Sequence, residues 1–552
     1  MLNFISKLRE VNPQFIREIK GRLKITNLFL SISVSVLGQL IFLLIFQGKL
    51  PPSDVTLPYG HLYCTGQSSE CVLNDYDNVI INWQLWYQDA FHGLSLLGIF
   101  VILVVGTYLI INDLATEKMR NTLNFIRLSP QTPQSILFGK ILGVPILLYV
   151  LILLAIPLHL WLGLQAKIPL NQIFIFYVIV IFSTFSYYSG ALLFGLIASW
   201  LGGFQSWLGS GFLLVFLAYT WQGLKDIRLF DGFVFLKLIT PIYFIPEFSA
   251  SSQFPGFRWF QLPLGNSFVN TSVLSLLVYL IGIYFIWQSL ERCYLDSNAT
   301  MLSKGQSYLL TTIFAIITLG CFNLHDSVDK VENIKDYLFS AMFLYFWLFL
   351  YLIASLTQNR QTLQDWARYQ HIYRAKHPAK QNLIKDLIWG EKSPGVLAIA
   401  INGLIAVCSL STLLLMPVVP VSYDKLYGFA ALIFAFSLVV IYGALAQLLL
   451  FMKNPRRLLW ANSIVGAVIF LPPIVSLMLF YNSGNLTFLW FFSIFAPLPF
   501  LYPEMTNSSD IMTPLLAILG QLCILSLLLF QIKRQLGKAG ESATKALLVN
   551  DH

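Results

Sequence analysis

The sequence predicts an all-α polytopic membrane protein with about 12 transmembrane helices, arranged as two parallel six-helix pseudo-repeats. Of its 552 residues, 57% are hydrophobic and only 11% are charged, whereas about a quarter of a soluble domain is charged. The mean hydropathy is +0.71. The apolar runs are continuous over about 20 residues, which favours helices, because membrane strands alternate over segments of about ten residues. This composition excludes a water-soluble enzyme.

Twelve apolar segments are long enough to cross a bilayer, six in each half of the chain. The predicted spans are 27–47, 91–112, 141–164, 172–199, 205–224, 270–290, 306–324, 337–357, 394–416, 427–452, 459–481 and 512–531. The predicted divisions are a cytoplasmic amphipathic helix (1–26), a first transmembrane half (27–290), a cytoplasmic joint (291–305), a second transmembrane half (306–531) and a cytoplasmic tail (532–552).

The distribution of lysine and arginine sets the orientation. With the N-terminus in the cytoplasm, 26 of the 35 basic residues fall in inner segments and 9 in outer ones, in agreement with the positive-inside rule. Both termini are then cytoplasmic, and we expect a multi-pass protein of a bacterial inner (plasma) membrane. The basic charges are spread over six inner segments and form no single face, so the pI near 9.1 reflects topology rather than nucleic-acid binding.

The predicted spans carry no charged residue in their middle, which argues against an ion-coupled carrier. We interpret His159, inside the third span, as a hydrogen-bonded packing residue rather than a proton relay. The chain also lacks a phosphate-binding G-x-x-x-x-G-K-[ST] loop, an H-E-x-x-H zinc helix and a G-x-S-x-G elbow. We therefore predict no catalytic site, cofactor or metal in this chain, and expect its energy to come from another polypeptide.

Residues 12–24 predict an interfacial amphipathic helix before the first span. Phe15, Ile16 and Ile19 share one helical face, while Arg17 and Lys20 lie on the other. A simple positive-inside anchor is the alternative interpretation.

The loop 113–140 carries a more specific pattern. Its parts, in order, are Glu117, Thr122-Leu123, Leu128-Ser129-Pro130 and Phe138-Gly139-Lys140. This pattern resembles the first cytoplasmic loop of export-type ATP-binding-cassette permeases of the second class. One position departs from the family, since Asn121 stands where glycine commonly precedes Thr-Leu.

The resemblance implies a coupling helix that docks into a groove on a separate ATPase subunit, which binds ATP and magnesium. Physically, Leu123, Phe125 and Leu128 supply apolar groups for such a groove. A solvated basic loop at lipid headgroups is the alternative. The substrate is unknown, and a membrane-lipid environment is expected. The residues assigned to coupling are Glu117, Leu123, Phe125, Arg127, Leu128, Ser129, Pro130, Thr362, Leu363, Trp389, Glu391 and Lys392.

The second half repeats the plan. Its segment 358–393 contains Thr362-Leu363 and ends in a Ser-Pro that leads into a span. Two proline-interrupted stretches, Phe233–Phe248 and Leu486–Pro503, are expected to enter the membrane only partly, from the outer face. They end in two similar strings, which place Pro246-Glu247 and Pro503-Glu504 at equivalent positions.

The first outer loop suggests two further features. Cys64 and Cys71 are candidates for a disulfide, with free thiols as the alternative. Asp75 and Asp77 raise a rival function, because polyprenyl-phosphate-dependent membrane glycosyltransferases are similar in span number and use an acidic residue in this loop. That rival leaves the coupling-like loop and the repeated halves unexplained.

Overall fold

The structure, a computed structural model, is built from helices joined by turns. Its described residues contain no β-strand and only two isolated bridges, Cys64 with Ile81 and Trp259 with Leu262. The protein is an all-α polytopic membrane protein, as predicted. The described residues are 12–51, 62–65, 79–128, 130–225, 233–247, 254, 256–296, 298–322, 331–376, 383–415, 425–454, 456–480, 490–501 and 512–549.

The chain divides into two compact units. The first runs up to Tyr294, and the second takes Leu295 onward together with two short pieces, 233–235 and 258–262. The division falls within 291–305, the predicted joint. The helices before it are α1 (Pro13–Arg22), α2 (Ile25–Gln47), α3 (Trp83–Met119), α4 (Thr122–Arg127), α5 (Pro133–Gly143), α6 (Ile146–Gln165), α7 (Leu170–Ile197), α8 (Phe204–Lys225), α9 (Val234–Leu238) and α10 (Phe268–Leu295).

Among the described residues, five helices after the division are long and apolar enough to cross a membrane. The helices of this part of the chain are α11 (Lys304–Gly320), α12 (Val331–Leu356), α13 (Arg360–Lys376), α14 (Leu383–Trp389), α15 (Val396–Leu415), α16 (Lys425–Leu450), α17 (Arg457–Phe480), α18 (Leu498–Leu501) and α19 (Met512–Val549).

Ten helices among the described residues are long and apolar enough to cross a membrane, and each coincides with a predicted span. The two remaining predicted spans correspond to α8 and α11. Helix α11 has only 17 residues, and α8 is interrupted by polar residues such as Gln205 and Thr220. Twelve crossings therefore remain a prediction, whereas a multi-pass helical protein is established.

The start of α3 and the end of α19 differ most from the predicted helix ends. Helix α3 begins at Trp83 rather than at 91, because Asn82 caps it by accepting a hydrogen bond from the Leu85 amide at 3.2 Å. Helix α19 continues to Val549 instead of ending at 531. Hydropathy marks where a helix leaves hydrocarbon, and both helices extend beyond that point.

Buried polar contacts join the long helices of the first unit. Ser31 and Ser35 of α2 donate hydrogen bonds to carbonyl oxygens of α6 at 2.8 and 2.9 Å. The middle of α3 forms a π-helical turn, Val101–Val105, where the Tyr188 hydroxyl donates to the Ile102 carbonyl at 2.6 Å. Such contacts stabilise helix pairs in lipid, where burial of apolar surface provides little attraction.

The second unit uses amides in the same way. Asn402 of α15 donates to Ser307 Oγ at 3.0 Å and accepts from Thr311 Oγ1 at 2.7 Å, which ties α15 to α11. Gln447 of α16 bonds both backbone polar groups of Gln358, at 3.2 and 3.1 Å. Each amide is buried and forms hydrogen bonds through both its oxygen and its nitrogen, so these contacts fix the register between helices.

Candidate functional site

A buried cluster of charges lies where the first unit's helices reach the predicted cytoplasmic side. At its centre, the fully buried Lys140 of α5 places Nζ 2.6 Å from Asp113 Oδ2 and 2.8 Å from Glu117 Oε2. Asp113 and Glu117 are one helical turn apart near the end of α3, so both carboxylates face the same lysine. Glu117, which the sequence analysis assigned to coupling, belongs to this internal network, and its role in coupling stays a prediction.

Helix α1 completes the cluster from the other side. Arg17 Nη2 lies 2.6 Å from Glu117 Oε1, and Arg22 Nη2 lies 2.6 Å from Asp113 Oδ1. Glu18 pairs with both arginines, at 3.2 and 3.3 Å. Three carboxylates thus meet three basic groups, and the charges balance. The Lys140 cluster is defined as Arg17, Glu18, Arg22, Asp113, Glu117 and Lys140.

Two features of the local sequence place α1 against α5. The Asn12 side chain caps α1 by accepting from the Phe15 amide at 3.0 Å, and it donates to the Ser135 carbonyl at 2.7 Å. A Cβ on Gly143 would lie 2.5 Å from Glu18 Cβ, so glycine permits this close approach. A helix is present within the predicted segment 12–24, and its buried face includes the polar Glu18 rather than apolar residues alone.

The charge of Lys140 follows from its neighbours. Burial by itself lowers the pKa of Lys140, but attraction to Asp113, Glu117 and Glu18 outweighs burial and raises the pKa above its ordinary value. The side chain therefore remains an ammonium at neutral pH. The carboxylates of Glu18, Asp113 and Glu117 lie within 4.8 Å of one another, a spacing that suits a metal ion, but the Lys140 ammonium already supplies the cation between two of them.

Helix α4 lies in the loop between α3, which carries Asp113 and Glu117, and α5, which carries Lys140. Asn121 precedes it with φ of 57°, a left-handed conformation that asparagine tolerates and that explains the departure from glycine. Phe125 and Leu128 are 80% and 85% exposed, whereas Leu123 is only 3% exposed. Leu123 therefore packs inside the protein, and the predicted docking surface is corrected to Phe125 and Leu128.

The remaining residues of this loop hold α4 in place. Arg127 donates to the Cys293 carbonyl at 3.4 Å, and its guanidinium lies 5.4 Å from the centre of the Tyr294 ring. Thr132 caps α5, and Pro133 is its first residue. Pro130 is exposed, and Ser129 lies outside the described residues.

The second unit has a buried lysine of its own at the start of α11. Lys304 donates from Nζ to the Leu387 carbonyl and Ser393 Oγ, both at 2.6 Å, and to the Pro394 carbonyl at 3.3 Å. Burial lowers the pKa of Lys304 to about 8, against the opposing attraction of Asp386. These five residues form the Lys304 junction, in which neutral oxygens replace most of the carboxylates.

The predicted coupling residues of the second unit differ in their exposure. Thr362 is half-buried and Leu363 is buried in α13, so Leu363 offers no exposed surface to a partner, and the coupling role of both stays a prediction. Trp389 is 60% exposed, and Glu391 and Lys392 are exposed beside it.

The proline-interrupted segment 233–247 is held by side chains of the surrounding helices. The His92 ring contacts the Pro246 carbonyl at 3.0 Å, and the hydroxyls of Tyr187 and Tyr279 donate to the Ile239 carbonyl at 2.8 and 2.7 Å. Pro246 is buried and Glu247 is half-buried. These contacts satisfy a non-helical backbone that hydrocarbon alone cannot.

His159 has partners on both ring nitrogens, Ser95 Oγ at 2.7 Å and the Tyr177 hydroxyl at 2.8 Å. Ser95 gives its proton to the Phe91 carbonyl, so Nε2 donates to Ser95 and Nδ1 accepts from Tyr177. This neutral tautomer agrees with the packing role predicted for His159.

Several predicted residues fall outside the described part of the chain. Cys64 is disulfide-bonded, whereas Cys71, its predicted partner, is among those outside. The same holds for Asp75, Asp77, Pro503 and Glu504.

Sequence reasoning treated the charges of 1–26 and 113–140 as an orientation signal and missed their pairing. The available signal was spacing: Asp113 and Glu117, like Glu18 and Arg22, stand four residues apart.

In comparisons with known proteins, no protein-family model, curated protein or solved structure matches this chain.

Proposed function

We propose that the chain is the membrane-spanning permease of an ATP-driven exporter, which alternates access under the power of separate ATPase subunits. Those subunits bind ATP and magnesium, and the exported substrate is unidentified. In this proposal the chain resides in a bacterial inner membrane with both termini in the cytoplasm.

The observation that carries the proposal is the exposed apolar tip of the loop between α3 and α5. Phe125 and Leu128 are more exposed than most apolar side chains of the described residues, while Leu123 and Ile126, on the opposite side of α4, are buried. A solvated basic loop explains neither the burial nor the pair of exposed apolar groups. A groove on a partner protein accommodates such a pair, with nearby charges at its rim.

Attachment of α4 suits the transmission of force. The helix preceding α4 ends beside Asp113 and Glu117, and the helix that follows the loop carries Lys140, so the ion cluster joins both sides of the loop. A push on α4 is then passed to α3 and, through α5, to α6. To shift a transporter almost completely between two states, the ATPases must favour one by about 5.5 kcal/mol.

The proposal is tested by purifying the tagged full chain from membranes of its native cells and measuring the ATPase activity that accompanies it. We expect the ATPase activity that accompanies a Phe125→Asp, Leu128→Asp double variant to fall at least about tenfold. The variant should remain inserted in the membrane, because exposed substitutions change stability by only about 0.5 kcal/mol. The matched control is Leu62→Asp, an equally polar change at a residue that is 68% exposed on the predicted outer side.

An unchanged level of accompanying ATPase in the folded double variant contradicts the proposal. A tip that only inserts into lipid predicts this unchanged ATPase level, because ten candidate membrane-spanning helices among the described residues keep the chain in the membrane with or without the tip.

A further inference from the structure

A cavity of about 250 Å³ lies inside the second unit, between α12, α15, α16 and residues 494–498. Its lining residues occupy the middle of the helices, at 339–353, 403–410 and 432–442. All three helices are long and apolar enough to span a bilayer, so their middle residues lie in the hydrocarbon layer. The molecules available to this cavity are therefore lipid chains.

The chemistry of the lining excludes a stable water cluster. Among its residues only Tyr345 and Tyr442 carry a side-chain oxygen or nitrogen. The Tyr345 hydroxyl is paired with Ser409 Oγ at 3.0 Å, and the Tyr442 hydroxyl has no hydrogen-bond partner among the described residues. A buried water requires two to four polar partners, and this lining offers one uncommitted group.

Size and access suit a flexible hydrocarbon. The cavity exceeds the roughly 150 Å³ of an apolar cavity that holds benzene. Phe343, one of its lining residues, is 38% exposed, and Met342 and Phe346 are half-buried, so the lining continues to the outer surface of α12. An empty cavity forfeits the dispersion contacts of its walls, and an entering chain restores them.

We propose that this cavity binds one acyl chain of a membrane lipid. The site lies within the second unit and does not depend on the proposed ATP-driven function. Its recognition is by shape and apolar contact, with aromatic side chains such as Phe346 and Phe436 forming the walls.

The test uses the full chain in phosphatidylcholine nanodiscs that contain a phospholipid with a photoactivatable diazirine on its acyl chain. After illumination, adducts are mapped by peptide mass spectrometry. We expect adducts in 403–410 and 432–442, where the buried lining faces the cavity, and expect Ala435→Phe, which fills the cavity, to reduce them at least about fivefold.

The matched control is Ile433→Phe, which adds the same ring on the same helix at a residue that is exposed and does not line the cavity. Adducts on α2 serve as the reference for overall lipid contact. Should Ala435→Phe fail to fold, Val407→Phe fills the cavity from α15.

Unchanged adducts in a folded cavity-filling variant overturn the proposal, as does an equal loss of adducts in Ile433→Phe. Tyr442→Phe should leave the adducts unchanged. A loss with that variant overturns the acyl-chain assignment and indicates a ligand with an acceptor oxygen. Accompanying ATPase activity should be unaffected by Ala435→Phe, which separates this proposal from the exporter proposal.

Discussion

Each unit uses a buried lysine to hold the segment that precedes its third long helix, but the two lysines have opposite surroundings. Lys140 sits among carboxylates within the Lys140 cluster. Lys304 donates to two carbonyls and a hydroxyl in the Lys304 junction. The same side chain consequently has a raised pKa in the first unit and a lowered pKa in the second.

Segments at similar places in the two units are thus held by different kinds of contact. In the first unit, paired charges clamp α1, α3 and α5 around the base of the exposed tip. In the second, a lysine with neutral acceptors holds α14, and Trp389 is the exposed aromatic beside it. If both segments dock on ATPase subunits, we expect the first to transmit force more stiffly than the second.

The largest effect is expected from Lys140→Met. Methionine keeps much of the side-chain volume but leaves Asp113, Glu117 and Glu18 without their central cation, and breaking a buried charge pair in this way costs about 3–5 kcal/mol. The equivalent change at the Lys304 junction is Lys304→Met. Burial already disfavours the charged form of Lys304, so we expect a clearly smaller loss of stability. Apparent melting temperatures in detergent compare the two.

A double variant distinguishes the effect of losing the Lys140 charge from the effect of losing its packing. Adding Asp113→Asn to Lys140→Met leaves two carboxylates against two arginines, and because the charges balance again we expect part of the lost stability to return. Equal melting temperatures for Lys140→Met and Lys304→Met, or no recovery in the double variant, would contradict the assigned difference between the junctions.

An intermediate effect is expected where α1 packs on α5. Gly143→Ala places a methyl group 2.5 Å from Glu18 Cβ, and such overpacking costs about 1–3 kcal/mol. Gly21→Ala is the matched control, because its Cβ meets nothing within 4 Å and alanine is favoured over glycine inside a helix by about 0.5–1 kcal/mol.

Hydrogen exchange measures this prediction directly. Amides of α1 should lose protection in Gly143→Ala and keep or gain it in Gly21→Ala. Protection of α1 that is the same in both variants would show that the helix is not held by this contact, and the clamp would then rest on the ion pairs alone.

The spans were predictable because lipid imposes one rule along the sequence. The predicted spans 27–47 and 394–416 differ from Ile25–Gln47 and Val396–Leu415 by two residues at most. The start of α3 was missed, since polar and aromatic residues at the membrane boundary carry no hydropathy signal. The cap on Asn82 determines that end.

The site was less predictable, because its parts are distant in sequence. Arg17 and Glu117 are separated by 100 residues, and no local pattern announces a pair of that kind. Exposure of Phe125 and burial of Leu123 depend on where α4 rests against α10 near Tyr294, which the helical spacing alone does not determine. The sequence therefore singled out the loop but did not predict which of its apolar side chains are exposed.

The smallest effect concerns pH and separates the two lysines without altering the fold. The pKa of Lys304 is about 8 in the folded protein and 10.5 in an unfolded chain, so between these values the unfolded state binds more protons and stability rises with pH. From pH 7 to 9.5, wild type should gain about 1–2 kcal/mol relative to Lys304→Met, after allowance for solvent screening. Relative to Lys140→Met it should gain nothing, because the raised pKa of Lys140 keeps that ammonium charged throughout this window. Melting temperatures of the three proteins at both pH values provide the measurement, and a wild-type gain that Lys304→Met shares in full would assign the titration to another group.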